Sequence, residues 1–376
     1  MPSPDVLDFA KLLAPIAGDK PTGADPRANT SPTSPYYKVK DARTAARSAE
    51  RQVESGAEDA PTPDWKAVAA AATTALTTAA KDLEVTAYLI EAVTRVNGYA
   101  GLRDGFRLAR ELVAAYWDDL YPTPDEEGLS TKVAALAGLN GDDAEGTLLA
   151  PIRNVPLTDS DTHGRLTLAN YQQALATSKI LDPKVKEKKV AAGAMTFEKF
   201  QSAVAETSNA FIKTLYEDLT AAQDEFNQLT AALDAKCGPA APPSSAIVSA
   251  LTGVMDALKD VARDKLAVMQ TAPAASAPSA EATGKPAEKD AAADDAGGEK
   301  LPTVRNRDDA LNAILKLADY FRRTEPHSMV PHTLEQAVRW ARMPLTDLLA
   351  ELISDDDARG ALFKQVGIRG GSKDDK

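Results

Sequence analysis

Three observations predict an all-α fold for this chain of 376 residues. Apolar residues recur at three- and four-residue steps along most of its length, and strand-like two-residue alternation is almost absent. Glycines and prolines fall between the periodic segments, where they punctuate loops. With 44% apolar residues, the chain has enough to bury a real core.

Val6, Phe9, Leu12 and Leu13 share one helical face, and Pro15, Gly18, Pro21, Gly23 and Pro26 then mark a loop. A helix is predicted from Ser34 or Pro35 to about Ser55. Its Arg43, Arg47 and Arg51, four residues apart, read as a solvated face. Asp64 is placed to cap a helix carrying Trp65, Val68, Ala72 and Leu76. The next segment sets Leu83, Ala87, Ile90 and Val93 at core spacing and ends at Asn97-Gly98 in the manner of a C-cap. A third long helix, Leu102 to Leu120, aligns Phe106, Ala109, Val113 and Trp117 before Tyr121-Pro122 breaks it. Between Pro151 and Leu168 the pattern loosens around Asp159-Ser160-Asp161, the one place for a short hairpin. Two helices, Phe197 to Lys236 and Ser244 to Gln270, follow the lysine-rich run Lys184 to Lys189; Gly238-Pro239 and Pro242-Pro243 separate them as in an antiparallel helical hairpin.

The stretch 271–302, rich in Ala, Pro, Ser and Gly, offers almost nothing apolar to bury and reads as a disordered linker. Beyond it, Asn306 can cap a helix that turns Ala310, Leu311, Ile314, Leu317, Ala318 and Phe321 to a core until Glu325-Pro326 stops it. A second helix, about Val330 to Met343, carries Leu334, Ala337, Val338 and Trp340. Pro344 opens a third with Leu345, Leu348, Leu349 and Leu352, and Ser354 or Asp355 caps a short fourth holding Leu362 and Val366. The domains expected are therefore an N-terminal helical domain (1–180), a middle helical hairpin (190–270), the linker (271–302) and a C-terminal helical module (303–368). That last module is small for an independent core, so association is expected to stabilise it.

A formal charge of −12 opposes a nonspecific grip on phosphate backbones, so nucleic acid is not an expected partner. No apolar run has the length of a membrane span and no signal peptide opens the chain, so a cytoplasmic location without direct membrane insertion is expected. The single cysteine, Cys237, has no companion for a disulfide and no local base to make it a nucleophile. Three histidines, His163, His327 and His332, show no metal-ligand spacing, and Gly98, Gly101 and Gly105 match no phosphate-binding loop. The carboxylates Asp118-Asp119, Asp125 to Glu127 and Asp355 to Asp357 fall at helix ends, where capping explains them. No catalytic residue, metal site or cofactor is predicted, and the chain is not read as an enzyme.

Two stretches carry a resemblance. The first contains Pro21, Gly23, Asp25 and Arg27, then Lys81-Asp82-Leu83, Gly101, Arg103-Asp104-Gly105 and Trp117, in order over about 100 residues. The second runs from Arg307-Asp308-Asp309-Ala310 through Arg322-Arg323-Thr324-Glu325-Pro326-His327-Ser328 to Arg339-Trp340-Ala341-Arg342-Met343-Pro344 and ends in Gly367-Ile368. Together they resemble the TssA, or ImpA-related, proteins of the bacterial type VI secretion system. Met329 stands where that family commonly has proline after Glu-Pro-His-Ser.

The resemblance implies an ImpA-related N-terminal domain over 1–180 and a ring-forming C-terminal module. It also implies a noncatalytic organiser of the contractile tail whose partners are further copies of itself and baseplate, inner-tube and sheath proteins. Phe321, Trp340 and Leu348 are then expected in the core of the module. Arg322, Arg323, Glu325, His327, Arg339, Trp340 and Arg342 are the candidates for oligomer or partner contacts. A cytosolic helical adaptor that forms no ring, or an enzyme with an unrecognised site, are the alternatives.

Overall fold

A computed structural model describes residues 2–141, 144–271, 307–324, 329–343, 348–349 and 351. These form α-helices, and their only β contacts are isolated bridges, so the fold is all-α as predicted. Two units divide the chain, residues 1–277 and 278–376.

In the first unit, α1 (Phe9–Leu13) is a single turn capped by Asp8. Ser34 caps α2 (Pro35–Glu54) and Asp64 caps α3 (Trp65–Thr78), each through its side-chain oxygen, so both predicted starts are found. The centre of the unit is α4 (Leu83–Tyr116), which is not straight. At Gly98 the backbone turns to φ 60° and ψ −140°, a conformation glycine adopts without the penalty of a Cβ. A Cβ on Gly105 would lie 2.8 Å from Ile90 Cγ1, and one on Gly101 only 2.1 Å from the Val93 carbonyl oxygen. Residues so far apart along one straight helix cannot touch, so the arms 83–97 and 99–116 fold back on each other as an antiparallel pair. The predicted stop at Asn97-Gly98 is this reversal, and the second arm ends at Tyr116, short of the expected Leu120.

Around α4 pack α2, α3, α5 (Leu129–Asn140), α6 (Leu149–Asn154) and the long α10 (Asn209–Cys237). Phe226 of α10 meets Phe106 of α4 with ring centroids 4.8 Å apart, and Leu215, Leu219, Ala222, Leu229 and Leu233 continue that buried stripe. The short α7 (Leu168–Ser178) and α9 (Phe197–Glu206) pack together through Tyr171 and Phe200, with α8 (Pro183–Ala191) between them in sequence. The unit closes with α11 (Ser245–Val261) and α12 (Arg263–Thr271).

Several expectations are corrected here. The long helix expected from Phe197 breaks at Thr207, whose extended backbone lets Ser208 cap α10 through the Phe211 N–H. Likewise, Ala262 divides α11 from α12. No hairpin strands form between α6 and α7. Leu157 N–H donates to the Leu166 carbonyl, but only a Ser160–Gly164 bridge lies within that loop, which is too tight for a ladder. Val6 lies before α1 and is exposed.

In the second unit, α13 (Arg307–Thr324) and α14 (Val330–Arg342) pair. Leu311 and Ala318, seven apart, and Pro331 and Val338, also seven apart, are buried as two narrow stripes. Stripes that narrow leave Leu317 and Ala337 exposed, contrary to their expected place in the core. Trp340 and Leu348 are half-buried. The side chain of Phe321, the Asn306 cap, the linker, and most of the third and all of the fourth tail helix lie outside the described residues.

Candidate functional site

The N-terminal motif residues come together as buried charge and close backbone contacts. Gly23 takes φ +78°, and a Cβ there would fall 2.1 Å from the Ala79 carbonyl oxygen. This approach lets the Lys81 N–H donate to Thr22 O at 2.9 Å, while Tyr121 N–H donates to Lys81 O and Leu83 N–H to Tyr121 O. Residues 79–83 are thereby stapled to the 21–27 loop on one side and to Tyr121, after α4, on the other.

Asp82 caps α4 through the Val85 N–H at 2.9 Å and receives Arg27 Nη1 at 2.6 Å. With Asp82 fully buried, burial pushes its carboxyl above the usual carboxylate range against the pull of Arg27 and the Val85 N–H. Arg27 also pairs with Glu84, which accepts hydrogen bonds from Tyr36 and Tyr88. Burial raises Glu84, yet the two phenols and Arg27 outweigh it and hold the carboxyl below its ordinary value. Asp25 accepts the Arg27 backbone N–H, and Pro21 is exposed at the edge of the loop. Lys81 has no carboxylate. Its Nζ donates to Leu12 O at 2.6 Å and Leu76 O at 2.9 Å, and burial lowers its pKa to about 8.

A second cluster ties down the N-terminal segment. Asp104 accepts the N–H groups of Val6 and Leu7 and pairs with Arg103. Arg103 donates to the carbonyls of Ser3 and Pro4 and reaches Asp218 on α10, which itself accepts from Ser3 N–H and Oγ at 2.7 Å. Gly101 and Gly105 are the contact points of the two α4 arms, and half-buried Trp117 lies under the Lys132 ammonium.

Sequence reasoning missed the partners of these groups. Arg43 is not on a solvated face. Its guanidinium makes two hydrogen bonds to Glu91, a carboxylate only 1% exposed that also accepts from Thr147, and it stacks on Tyr88. Arg47 is half-buried beside them, and Arg51 alone of the three is exposed. Arg95 forms a bidentate pair with Glu50 and covers Trp65 at 3.8 Å. The available signal was the placement of Glu91 among Ala87, Ile90 and Val93, and of Asp218 between Leu215 and Leu219. Charges within apolar stripes need partners.

On the second unit, Arg322 pairs with Asp319 at 2.6 Å and with Glu335 of α14, linking the helices. Arg339 pairs with Glu351, and Trp340 Nε1 donates to the same carboxylate at 3.1 Å. Arg342 is exposed. Glu325, His327 and the Arg323 side chain lie outside the described residues.

In both clusters of the first unit, the motif's ions are spent on holding backbone segments and helices in place. The arrangement is architectural, with its charges turned inward. Among the described residues, no group of three or more His, Cys, Asp or Glu side chains is placed to hold a metal ion. No helix among them is long and apolar enough to cross a membrane.

Comparison with known proteins falls on the same region. The ImpA N-terminal family of the type VI secretion system matches residues 13–141, which include every N-terminal motif residue named above. The type VI secretion system component TssA1 of Pseudomonas aeruginosa is 27% identical over 352 residues, spanning 93% of this chain and 96% of that one. The chain thus carries an ImpA N-terminal region and is similar over most of its length to a TssA protein. A solved N-terminal domain of the TssA component from Burkholderia cenocepacia, which includes the conserved ImpA region, shares the fold. It superposes with a TM-score of 0.57 at 24% identity, covering 70% of this chain and 98% of that domain. Within the matched region, the residues that carry the resemblance are the ones that close the loop 21–27, the reversed α4 and α10 onto one another.

Proposed function

We propose that this protein is a noncatalytic assembly component of the type VI secretion apparatus, which organises baseplate, tail tube and sheath in the cytoplasm through a ring built from its C-terminal module, 303–368. The observation that carries the reading is the likeness to TssA1, which extends over 93% of the chain and so reaches past the ImpA region into the second unit. Two features of the molecule support it. The signature's charges are engaged internally, which suits a scaffold. The α13/α14 pair leaves Leu317, Met329 and Val330 exposed, apolar surface of the kind that copies of a chain bury against one another.

Arg322 and Arg339, fixed by Glu335 and Glu351, would present the polar rim of such contacts, together with Arg323, Glu325, His327, Trp340 and Arg342. A ring also multiplies weak contacts to a symmetric tail by raising their effective concentration. Light scattering during size exclusion tests this on the full chain and on a chain ended after Ala277. The full chain is expected as a closed oligomer and the shortened one at lower mass. In pull-downs, only the oligomer should retain tube, sheath and baseplate proteins firmly. A monomeric full chain at micromolar concentration, or tail proteins retained equally by both forms, would overturn the proposal.

A further inference from the structure

The helix α8 is unlike its neighbours: none of its residues is buried. A nine-residue helix is too short to be stable in water without support, and helices normally gain that support by burying a face. Local signals hold this one. Asp182 accepts the N–H groups of Lys184 and Val185, Pro183 occupies the first turn, and Lys188 and Lys189 stand at the negative end of the helix dipole.

The lobe's side chains are a local exception to the charge of the molecule. Between residues 179 and 192, five lysines face two carboxylates, a net +3 in a chain of −12. Arg27, Arg43, Arg95, Arg103, Arg107 and Arg110 in the body are all ion-paired. In contrast, the side chains of Lys179, Lys184, Lys188 and Lys189 take part in no ion pair or hydrogen bond among the described residues, and Lys186 feels only Glu198. Apolar residues are exposed with them: Leu181 at 96%, Val185 at 45% and Val190 at 38%. Lys188 and Lys189, three and four residues on, flank Val185 on the helix surface, with Leu181 one turn before it.

We propose that this lobe, 179–192, is a docking surface for an acidic polypeptide segment of a partner protein, one that brings carboxylates to the lysines and an apolar side chain to Leu181 and Val185. Val185 and Val190 lie about 140° apart around the helix. The lobe therefore lacks the continuous apolar face with which a helix enters a bilayer. It holds no arginine or aromatic residue to read or stack on bases. Lysines are hydrated point charges without a fixed fork, which suits a flexible run of carboxylates. This surface lies in the first unit and is independent of the ring proposed for the second.

Fluorescence anisotropy of a labelled peptide of Glu and Leu, titrated with the full chain, tests the proposal, with a Lys/Leu peptide and phosphatidylglycerol vesicles as counter-probes. The acidic peptide is expected to bind, more weakly as salt rises. Combined Lys184→Glu, Lys188→Glu and Lys189→Glu should lower its affinity about tenfold or more. Leu181→Ser should lower it to a smaller extent, and Lys20→Glu, exposed elsewhere on the first unit, should leave it unchanged. Because α8 buries nothing, the melting midpoint of the triple variant should match the parent, and combined Lys184→Gln, Lys188→Gln and Lys189→Gln, which puts no carboxylate at the negative end of the helix, should also lower the affinity. No binding of the acidic peptide, equal binding of the Lys/Leu peptide, binding unaffected by the triple reversal, or capture by vesicles in place of peptide would each overturn the proposal.

Discussion

Arg27 and Asp82 show how much of this protein's stability rests on single side chains. Arg27→Met leaves the Asp82 carboxylate buried without its ion partner, a change expected to cost about 3 kcal/mol in urea denaturation. With Asp82→Asn in the same background the losses should not add, because the two residues share one interaction. Lys81 makes a different prediction. Its folded pKa, about 8, lies below the ordinary 10.5, so between those values the unfolded chain holds more protons and stability rises with pH. Below pH 8 both states are protonated and the contribution is flat. Denaturation midpoints followed from pH 8 to 10 should therefore climb in the parent, by up to about 2 kcal/mol of stability, and climb less in Lys81→Met. At this scale the sequence was only partly legible. The residues that carry the resemblance do lie together in buried clusters, but Arg43 was misread, because its partner Glu91 lies 48 positions away on another helix.

At the scale of elements, the reversal of α4 carries the architecture, and its two close-contact glycines should differ in tolerance. Gly101→Ala drives a Cβ to 2.1 Å from the Val93 carbonyl, a backbone atom with nowhere to go, and a loss of roughly 3 kcal/mol or more is expected. Gly105→Ala meets mainly the Ile90 side chain at 2.8 Å, which can turn aside, so about 1–2 kcal/mol is expected. Guanidinium denaturation of both variants checks the ranking. Phe226→Ala, which empties the contact with Phe106, should cost about 3–5 kcal/mol in the same assay. Element starts were legible where a side chain does the capping, as at Ser34 and Asp64, though the cap that Asp82 gives α4 was not foreseen. The break at Thr207-Ser208 was not legible, because the apolar rhythm runs on through it and masks the capping side chain of Ser208.

For the molecule as a whole, the division at residue 277 predicts that the first unit folds alone. A chain ended after Ala277 should melt cooperatively, with the same response to the Arg27 and Gly101 substitutions as the full chain. The fold class followed directly from periodicity, since helices announce themselves within a few turns of sequence. Which helices share a core did not follow. Phe106 and Phe226 are separated by 120 positions, and the ion set of Arg103, Asp104 and Asp218 joins the chain's start to α10. Such pairings depend on three-dimensional closure, for which a single sequence carries no local signal.

The α4 reversal also bears on the order in which the chain folds. Its two arms are contiguous in sequence and meet across a one-glycine turn, so their interface closes the shortest loop in the core and costs the least chain entropy. The contacts of Arg27 with Asp82 and of Arg103 with Asp218 close much longer loops. Pulse-labelled hydrogen exchange during refolding should therefore find residues 83–116 protected first, with the loop around Arg27 and the N-terminal segment following as they find the nucleus already built.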